Sequence, residues 1–592
     1  MRIAFVSAVG GSAFMHELLG VVSKAVADAG AEVSVHVGRF PAISEPHAYV
    51  VIPHEYFQLT PPDDQPGTAE RQRTIGFCVE HPGNATFEVS AVHGSSLGAL
   101  FDINHDSLIE LRRRGLPVER FLLGYSPRWD AWGGDAESSR PTDITYMGTT
   151  DARRDGLLAR QAGVLSRWNC RLLLPPHEQM TRPRQDFLMG SAKLRHLARS
   201  KVLINLHRGG SRSLEWVRVL EAMINGCVVV SEQSTDYDPL IPGEHILLAR
   251  PEVAALAAEA LLRNPDRLNA VRRDAYSISR SMDMGPSAVR LVEVAEALAR
   301  GVLPKPGRPV TADAPAGPPV VAEPPQPADG LPALASWAST LPEPIRHLHA
   351  AILGSAELTA GARVTVHPPS AESQRSVTAI VVSVPDTAAA LAHTLRSLDR
   401  QSDPPQAVLV VEDHAPSRWA DFGPARGRLL NAALEEVATE YVLILETGHE
   451  LFPRAISQLL RAIEGAVDTP PALAHGIMAD DEAGRLWNSL PLEAARLARR
   501  AYLTAPLLLR RPVLLDGGGF SESPDLVGYE YHEFLCRLVE AGHRAAFVQQ
   551  IIGRGPRPQP PALTIAQLRP ELTRAALIAS APNLLRGLPS TG

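Results

Sequence analysis

The stretch Ser211–Gln233, SRSLEWVRVLEAMINGCVVVSEQ, decides how the chain is read. It predicts a helix carrying Arg218 and Glu221, a tight turn at Asn225-Gly226, and a buried strand from Cys227 to Val230. Just upstream, the short apolar run Val202–Leu206 predicts another strand, and His207-Arg208-Gly209-Gly210 links it to the helix. A glycine-rich turn that opens onto a helix start leaves backbone N–H groups and a positive dipole end facing outward, which suits a phosphate. A carboxylate about two turns further in is placed to accept hydrogen bonds from ribose hydroxyls. The segment therefore points to a nucleotide-sugar site, with Arg208, Gly209, Gly210, Ser213, Arg218 and Glu221 on the donor side. Arg218 would pair a donor phosphate or orient Glu221.

The same strand–loop–helix logic extends in both directions. Arg2–Ser7 reads as a first strand, Gly10-Gly11-Ser12 as its loop, a helix follows to Ala29, and Glu32–Val37 reads as the next strand. That is a βαβ unit of a doubly wound sheet. Further strands are expected at Tyr49–Ile52, Thr74–Val79, Leu100–Asn104 and Phe121–Leu123. Polar residues follow several of them, including His54-Glu55 and Glu80-His81. Ligands of open α/β sheets bind beyond the carboxyl ends of strands, so these residues predict a cleft. Gly10 and Gly11 would form the close turn where acceptor and donor meet. Glu80 and His81 are the preferred catalytic pair, an imidazole and a carboxylate beside an acceptor hydroxyl. His16, His54 and Glu55 compete for the same role. A second α/β half is expected to open at Asp143–Gly148 with the basic pair Arg153-Arg154, so Gly148, Arg153 and Arg154 join the donor set. Glu215, near the helix start, would repel a phosphate and is read as facing solvent or sugar.

The 592 residues exceed what one core can serve, and about three or four domains are expected. The composition is that of a folded globular protein, and the net charge of −7 gives no general attraction to nucleic acid or anionic membrane. Cys78, Cys170, Cys227 and Cys536 form no CxxC or Cys/His cluster, which argues against a structural zinc or a disulfide framework. No apolar run reaches the roughly 20 residues that span a bilayer. A cytoplasmic location, with peripheral attachment at an inner membrane as an option, is expected. The abundance of Ala, Arg and Pro is of the kind a GC-rich bacterial genome encodes.

Between Gly301 and Ala335 ten prolines interrupt all apolar periodicity, which predicts an extended linker over 301–340. A further α/β region opens with the strand TAIVVSV after Val377, a helix over Ala388–Arg400, the strand AVLVVED, a helix around Arg428–Thr439 and the strand Tyr441–Leu445. A Pro-rich segment then leads to a helical tail, Thr564–Arg586.

Two families are resembled. Arg218-Val219-Leu220-Glu221-Ala222-Met223, Gly226, Val228–Val230 and the later Pro242-Gly243-Glu244-His245 resemble the donor motif of GT-B glycosyltransferases, closest to the CgeB-like branch of the group 1 transferases. The resemblance covers Met1–Arg300. It implies an N-terminal Rossmann-like half on the acceptor side (1–140) and a C-terminal half on the nucleotide-sugar side (141–300). It also implies transfer without a metal, with the helix dipole and arginines stabilising the leaving diphosphate. Where many group 1 members carry a second glutamate this chain has Ser213, which leaves the stereochemistry open. Residues 376–555 resemble a family 2, GT-A-like transferase domain through Val377–Val384, Val408–Asp413, Leu429–Leu434, Gly517–Phe520 and Glu533-Phe534. That family's metal-binding Asp-x-Asp is replaced by Glu446-Thr447-Gly448-His449-Glu450, and its Glu-Asp base motif reads Glu530-Tyr531. A degenerate domain is therefore expected, with Asp413, Glu446 and Glu450 as the remaining candidate metal ligands and an accessory role. A tail at 556–592 completes the chain.

The expectation is a hexosyltransferase-type enzyme that moves sugar from a nucleotide-diphosphate donor to a hydroxyl of a glycan, lipid-linked or protein acceptor, in polysaccharide biosynthesis or a related process. No nucleic acid is expected as partner, and a homo-oligomer is possible. A sugar-nucleotide epimerase and a non-catalytic carbohydrate-binding scaffold are the alternatives.

Overall fold

The computed structural model describes residues 1–209, 212–302, 362–367, 376–383, 387–413, 426–465, 469–558 and 569–585. The expected linker, Gly210 and part of the expected tail lie outside these residues. Contacts divide the chain into two units, Met1–Leu157 with Trp168–Val321, and Leu158–Arg167 with Ala322–Gly592.

The first unit is α/β, built on two parallel sheets. In the first sheet, β1 is Arg2–Ser7, β2 Glu32–Val37, β3 His47–Val51, β4 Thr74–Cys78, β5 Ala99–Asp102 and β6 Val118–Arg120. They lie in the order β2-β1-β3-β4-β5-β6, every pair parallel. β3, β4 and β5 are buried along their whole length, as continuous apolar runs covered by helices on both faces must be. β2, at the edge, is the polar member. The strand expected at Phe121–Leu123 is displaced to Val118–Arg120, because Phe121 turns inward against Phe77 and Phe101 instead of extending the ladder.

The second sheet holds β7 Thr142–Met147, β8 Cys170–Leu173, β9 Ser200–Asn205, β10 Val228–Glu232 and β11 Leu247–Ala249, in the order β11-β10-β9-β7-β8, again all parallel. The pair has the Rossmann-like form that the GT-B resemblance implied. One apolar core joins them, from Ile3 and Phe5 through Leu214–Ile224 to Leu203 and Val229. The last helix, Gly285–Ala299, packs on the helix Ala13–Asp28 and on β3. Arg290 pairs with Glu119 at 2.7 Å and Ser287 accepts the Leu122 N–H at 3.0 Å, fixing it there.

The strand of the opening stretch runs Val228–Glu232, where Cys227–Val230 was expected. Its helix, Trp216–Ile224, carries Arg218 and Glu221 as expected, and it starts once buried Leu214 and half-buried Glu215 have brought the chain inward. The Asn225-Gly226 turn is present. Gly226 has φ +64°, and a Cβ there would stand 2.5 Å from Arg140 and 2.6 Å from Trp132, so only glycine fits. Asn225 ties the turn down by donating to the Trp129 and Glu221 carbonyls at 2.7 and 2.8 Å.

The second unit carries a mixed sheet. Its strands are β12 Ala362–His367, β13 Val377–Ser383, β14 Ala407–Asp413, β15 Tyr441–Glu446, β16 Glu450–Leu451, β17 Leu473–Asp480, β18 Arg485–Trp487, β19 Leu507–Arg510 and β20 Ala545–Arg554. The order is β12-β14-β13-β15-β19-β17-β20-β16, with β18 on β17. β13, β14 and β15 are parallel, whereas β12 and β19 join antiparallel. Of the expected tail helix, Pro570–Ser580 and Pro582–Leu585 are described.

Candidate active site

In the first unit the carboxyl ends of both sheets meet around one cavity of about 370 Å³. The first sheet supplies Ser12 after β1, His54 and Glu55 after β3, and Glu80 and His81 after β4. The second supplies Gly148 after β7, His177 after β8 and Arg208 after β9. The start of the helix Trp216–Ile224 also faces the cavity, through Trp216, Val217, Arg218 and Glu221.

The second-sheet wall is a lattice of guanidinium and carboxylate groups. Arg154 is buried, donates to the Leu206 carbonyl at 3.1 Å and pairs with Glu215 at 3.0 Å. Arg218 stands 3.6 Å from the other Glu215 oxygen and donates to Asn205 Oδ1 at 2.9 Å. Burial opposes ionisation of Glu215, but Arg218 and Arg154 prevail and hold its carboxyl down to about 2. Glu215 therefore faces neither solvent nor sugar alone, as the sequence suggested; it is clamped between two arginines. The Arg208 guanidinium donates to His177 Nε2 at 2.9 Å and has no carboxylate partner among the described residues.

Glu221 lies in the cavity wall, where a Lys193 Nζ stands 2.6 Å from its Oε1. The same ammonium is 2.8 Å from Glu17, whose other oxygen accepts the Gly190 N–H at 2.5 Å. Burial alone would lower the Lys193 pKa, yet Glu221 and Glu17 raise it. Burial raises the Glu221 carboxyl against the pull of Lys193. Lys193 and Glu17 escaped the sequence reading: a lone lysine on a nine-residue helix, Gly190–Ala198, reads as a surface residue, and its partners lie far away in the chain.

Three other donor candidates stand apart from the cavity surface. Arg153 forms a two-bonded pair with Glu232, at 2.8 and 2.5 Å, and also donates to the His207 carbonyl. The Ser213 hydroxyl donates to Asp106 at 3.0 Å and does not line the cavity. Gly209, at φ +54°, shapes the turn behind Arg208 without lining it. Gly210 lies outside the described residues. Gly148 does line the cavity, and a Cβ there would lie 2.9 Å from the Tyr146 hydroxyl.

The first-sheet wall is acidic and imidazole-rich. Glu80 lies 3.7 Å from His54 Nε2, and His54 Nδ1 is 3.3 Å from the Ser90 hydroxyl. Burial lowers the His54 pKa although Glu80 and Glu55 oppose it. His81 is buried at the cavity edge, its Nδ1 without a hydrogen-bond partner, and it is close enough to Glu215 to favour that carboxylate. Glu55 accepts the Ser12 N–H at 2.5 Å and the Gln179 amide at 2.9 Å. Gly10 and Gly11 sit behind this wall instead of forming it: a Cβ on Gly11 would lie 2.9 Å from Glu55 Oε2, so the glycine makes room for that carboxylate. His16 likewise does not line the cavity.

In the second unit the expected metal ligands are engaged elsewhere. Glu446, at the end of β15, pairs with Arg426 at 2.9 Å and accepts the Tyr531 hydroxyl at 3.1 Å. Glu450 pairs with Arg554 at 2.8 Å. Buried Glu530 accepts the Gly528 N–H at 2.9 Å. The Asp413 side chain lies outside the description. Among the described residues no group of three or more His, Cys, Asp or Glu is arranged as a metal site, and no helix is long and apolar enough to cross a membrane.

Comparison with known proteins bears on the first unit. Residues 152–282 match the family model described as Glycosyl transferase-like. This segment carries Arg154, Lys193, Arg208, Glu215, Arg218 and Glu221. Among solved structures the chain is similar to WaaG, a glycosyltransferase involved in lipopolysaccharide biosynthesis, at 13% identity and TM-score 0.35, over 50% of this chain and 99% of that one. It is similar to sucrose-phosphate synthase from Thermosynechococcus elongatus at 13% identity and TM-score 0.36, over 51% and 100%. It is also similar to HepE of Anabaena, in complex with UDP-glucose, at 11% identity and TM-score 0.35, over 51% and 100%. No curated protein matches the chain at the sequence level.

Proposed function

We propose that the first unit is a glycosyltransferase that moves a sugar from a nucleoside-diphosphate donor to a hydroxyl acceptor. The observation that carries this reading is the division of one cavity between two walls. Arg154, Arg208, Arg218 and a helix start stand at the ends of the second sheet; Glu55, Glu80 and His81 stand at the ends of the first. The donor diphosphate sits against the second-sheet wall, where Arg208 supplies a cation that no carboxylate uses. The acceptor sits against the first.

In the reaction the acceptor oxygen bonds to the anomeric carbon, the bond from that carbon to the phosphate oxygen breaks, and the nucleoside diphosphate leaves with the electron pair. Its growing negative charge is met by Arg208, by Arg218 and by the positive dipole end of the helix Trp216–Ile224, all fixed beforehand. In this reading the positive charge comes from side chains and backbone and requires no metal. His81, which lines the cavity, takes the hydroxyl proton. Glu80, close to His54, sets the charge of that wall. Glu221, neutralised by Lys193, positions the ribose. The second unit acts as an accessory, since Arg426 and Tyr531 already occupy Glu446.

The test is a panel of nucleoside diphosphates and their sugars against the purified chain, read by melting temperature and by diphosphate release. Stabilisation by a nucleoside diphosphate that is weakened in Arg208→Ala is expected. Absence of any shift across the panel would sink the reading.

A further inference from the structure

Resting on that reading, we propose that the acceptor is an amino sugar whose protonated free amine is held by Glu55 and Glu80. The argument starts from which charges in the cavity already have partners. On the second-sheet wall every carboxylate named above has a cation: Glu215 has Arg154 and Arg218, and Glu221 has Lys193. On the first-sheet wall the situation is reversed. Among the described residues, no lysine or arginine from this half lines the cavity. Glu17 reaches Lys193, but Glu55 receives its hydrogen bonds from two neutral donors, the Ser12 N–H and the Gln179 amide. The basic group paired with Glu80 is His54, which burial keeps toward its neutral form.

The cavity is therefore polarised before anything binds. It offers one cation without a carboxylate, Arg208, and two carboxylates without a cation, Glu55 and Glu80. A ligand pair that complements it brings negative charge to Arg208 and positive charge to Glu55 and Glu80. The donor diphosphate meets the first requirement. A neutral acceptor would leave both carboxylates uncompensated in a partly dehydrated space, and an anionic acceptor would add a like charge beside them. An ammonium donates up to three hydrogen bonds and carries the required charge. The acceptor's hydroxyl then lies beside His81, next to Glu80 in the chain.

The experiment measures binding of three methyl glycosides, of a hexosamine, its N-acetyl form and a hexuronic acid, to the full chain saturated with UDP or whichever nucleoside diphosphate binds. Calorimetry is expected to show the free amine binding ~10-fold or more tighter than the N-acetyl form, the scale of one charge-assisted hydrogen bond. That ratio should fall toward one as pH rises through about 8, where such an amine loses its proton. It should also fall toward one in Glu80→Gln and in Glu55→Gln. Equal binding of amine and N-acetyl forms, tighter binding of the uronide, or a ratio independent of pH would overturn the proposal. The pH arm uses the unaltered protein, so it decides the matter even if a variant fails to fold. Nucleoside-diphosphate binding is scored separately: its failure overturns the transfer reading, whereas intact diphosphate binding with no amine preference overturns this one alone.

Discussion

Glu446 in the second unit and Glu215 in the first both follow or adjoin the carboxyl ends of parallel strands, and both are met by arginine. Around Glu446, Arg426 and the Tyr531 hydroxyl close in at 2.9 and 3.1 Å, and Glu530 is buried beside them. Around Glu215, Arg154 and Arg218 converge in the same way, yet the wall they form still faces a cavity of about 370 Å³. The difference lies in what surrounds the pair. In the first unit a second sheet stands opposite and contributes a wall of its own, and Arg208 remains without a carboxylate. In the second unit the local aromatic and guanidinium groups complete the cluster by themselves. An ion pair at a strand end is thus scaffold in both units; the site arises where additional charge is left over.

The sharpest way to break this comparison is to remove the cation that Glu17 and Glu221 share. Lys193→Met leaves Glu17 and Glu221 without their ammonium, and stripping one partner from a buried ion pair costs about 3–5 kcal/mol. Denaturant unfolding of the first unit should show a loss of that order. Restoring neutrality with Glu17→Gln and Glu221→Gln in the same chain should recover much of it. Arg426→Met should cost a similar amount through Glu446 but leave nucleoside-diphosphate binding unchanged. A Lys193→Met protein of full stability would mean that the Glu17–Lys193–Glu221 group is not a structural unit.

Much of the scaffold was legible because parallel strands are buried on both faces and so read as short apolar runs. VVVSE at Val228–Glu232 and AVLVVED at Ala407–Asp413 announce themselves in this way. The FLL run at Phe121–Leu123 misled for the same reason: Phe121 and Leu123 serve core packing after the strand has ended. The glycines at 226 and 11 were visible as punctuation, but only the fold shows that one admits Arg140 and Trp132 and the other admits Glu55. Residues that follow strands in sequence, such as Glu80, His81 and Arg208, could be placed at the cavity by position alone. Arg153 and Arg154 could not be told apart, because adjacent residues at a helix start diverge: Arg154 turns into the cavity wall and Arg153 goes to Glu232. Lys193 could not be found at all, since its meaning comes from Glu17 and Glu221, which the chain brings from elsewhere.

A second way to sharpen the comparison uses an acid that lacks the compensation given to Glu215. Asp155 follows Arg154 in the helix Ala152–Arg160, and burial first, then the charge of Asp151, pushes its carboxyl from 3.8 to about 7. The native state therefore holds this proton more tightly than the unfolded chain. Its stabilising contribution is complete below about pH 4 and is lost as pH rises through about 7. Asp155→Asn should raise the melting temperature at pH 8 and change it little at pH 4, by at most a few kcal/mol at the high end. An equal effect at both pH values would show that Asp155 is ionised in the folded protein throughout.

The smallest expected effect on folding is also the one most specific to the site. Arg208→Ala removes a half-buried guanidinium whose described partner is the neutral ring of His177. Because no carboxylate is left behind, stability should stay within about 0.5 kcal/mol of the parent, as for an ordinary surface substitution. Nucleoside-diphosphate affinity should nevertheless drop by ~1.5–3 kcal/mol, the worth of hydrogen bonds to a charged group. Arg153→Ala makes the opposite prediction. It strands Glu232, whose side chain is only 8% exposed, so the melting temperature should fall, while diphosphate affinity holds. Calorimetry and thermal melts on the two variants, side by side, separate a cation kept for a ligand from one consumed by the fold. Should both variants lose affinity and stability together, the distinction drawn between the two arginines would not survive.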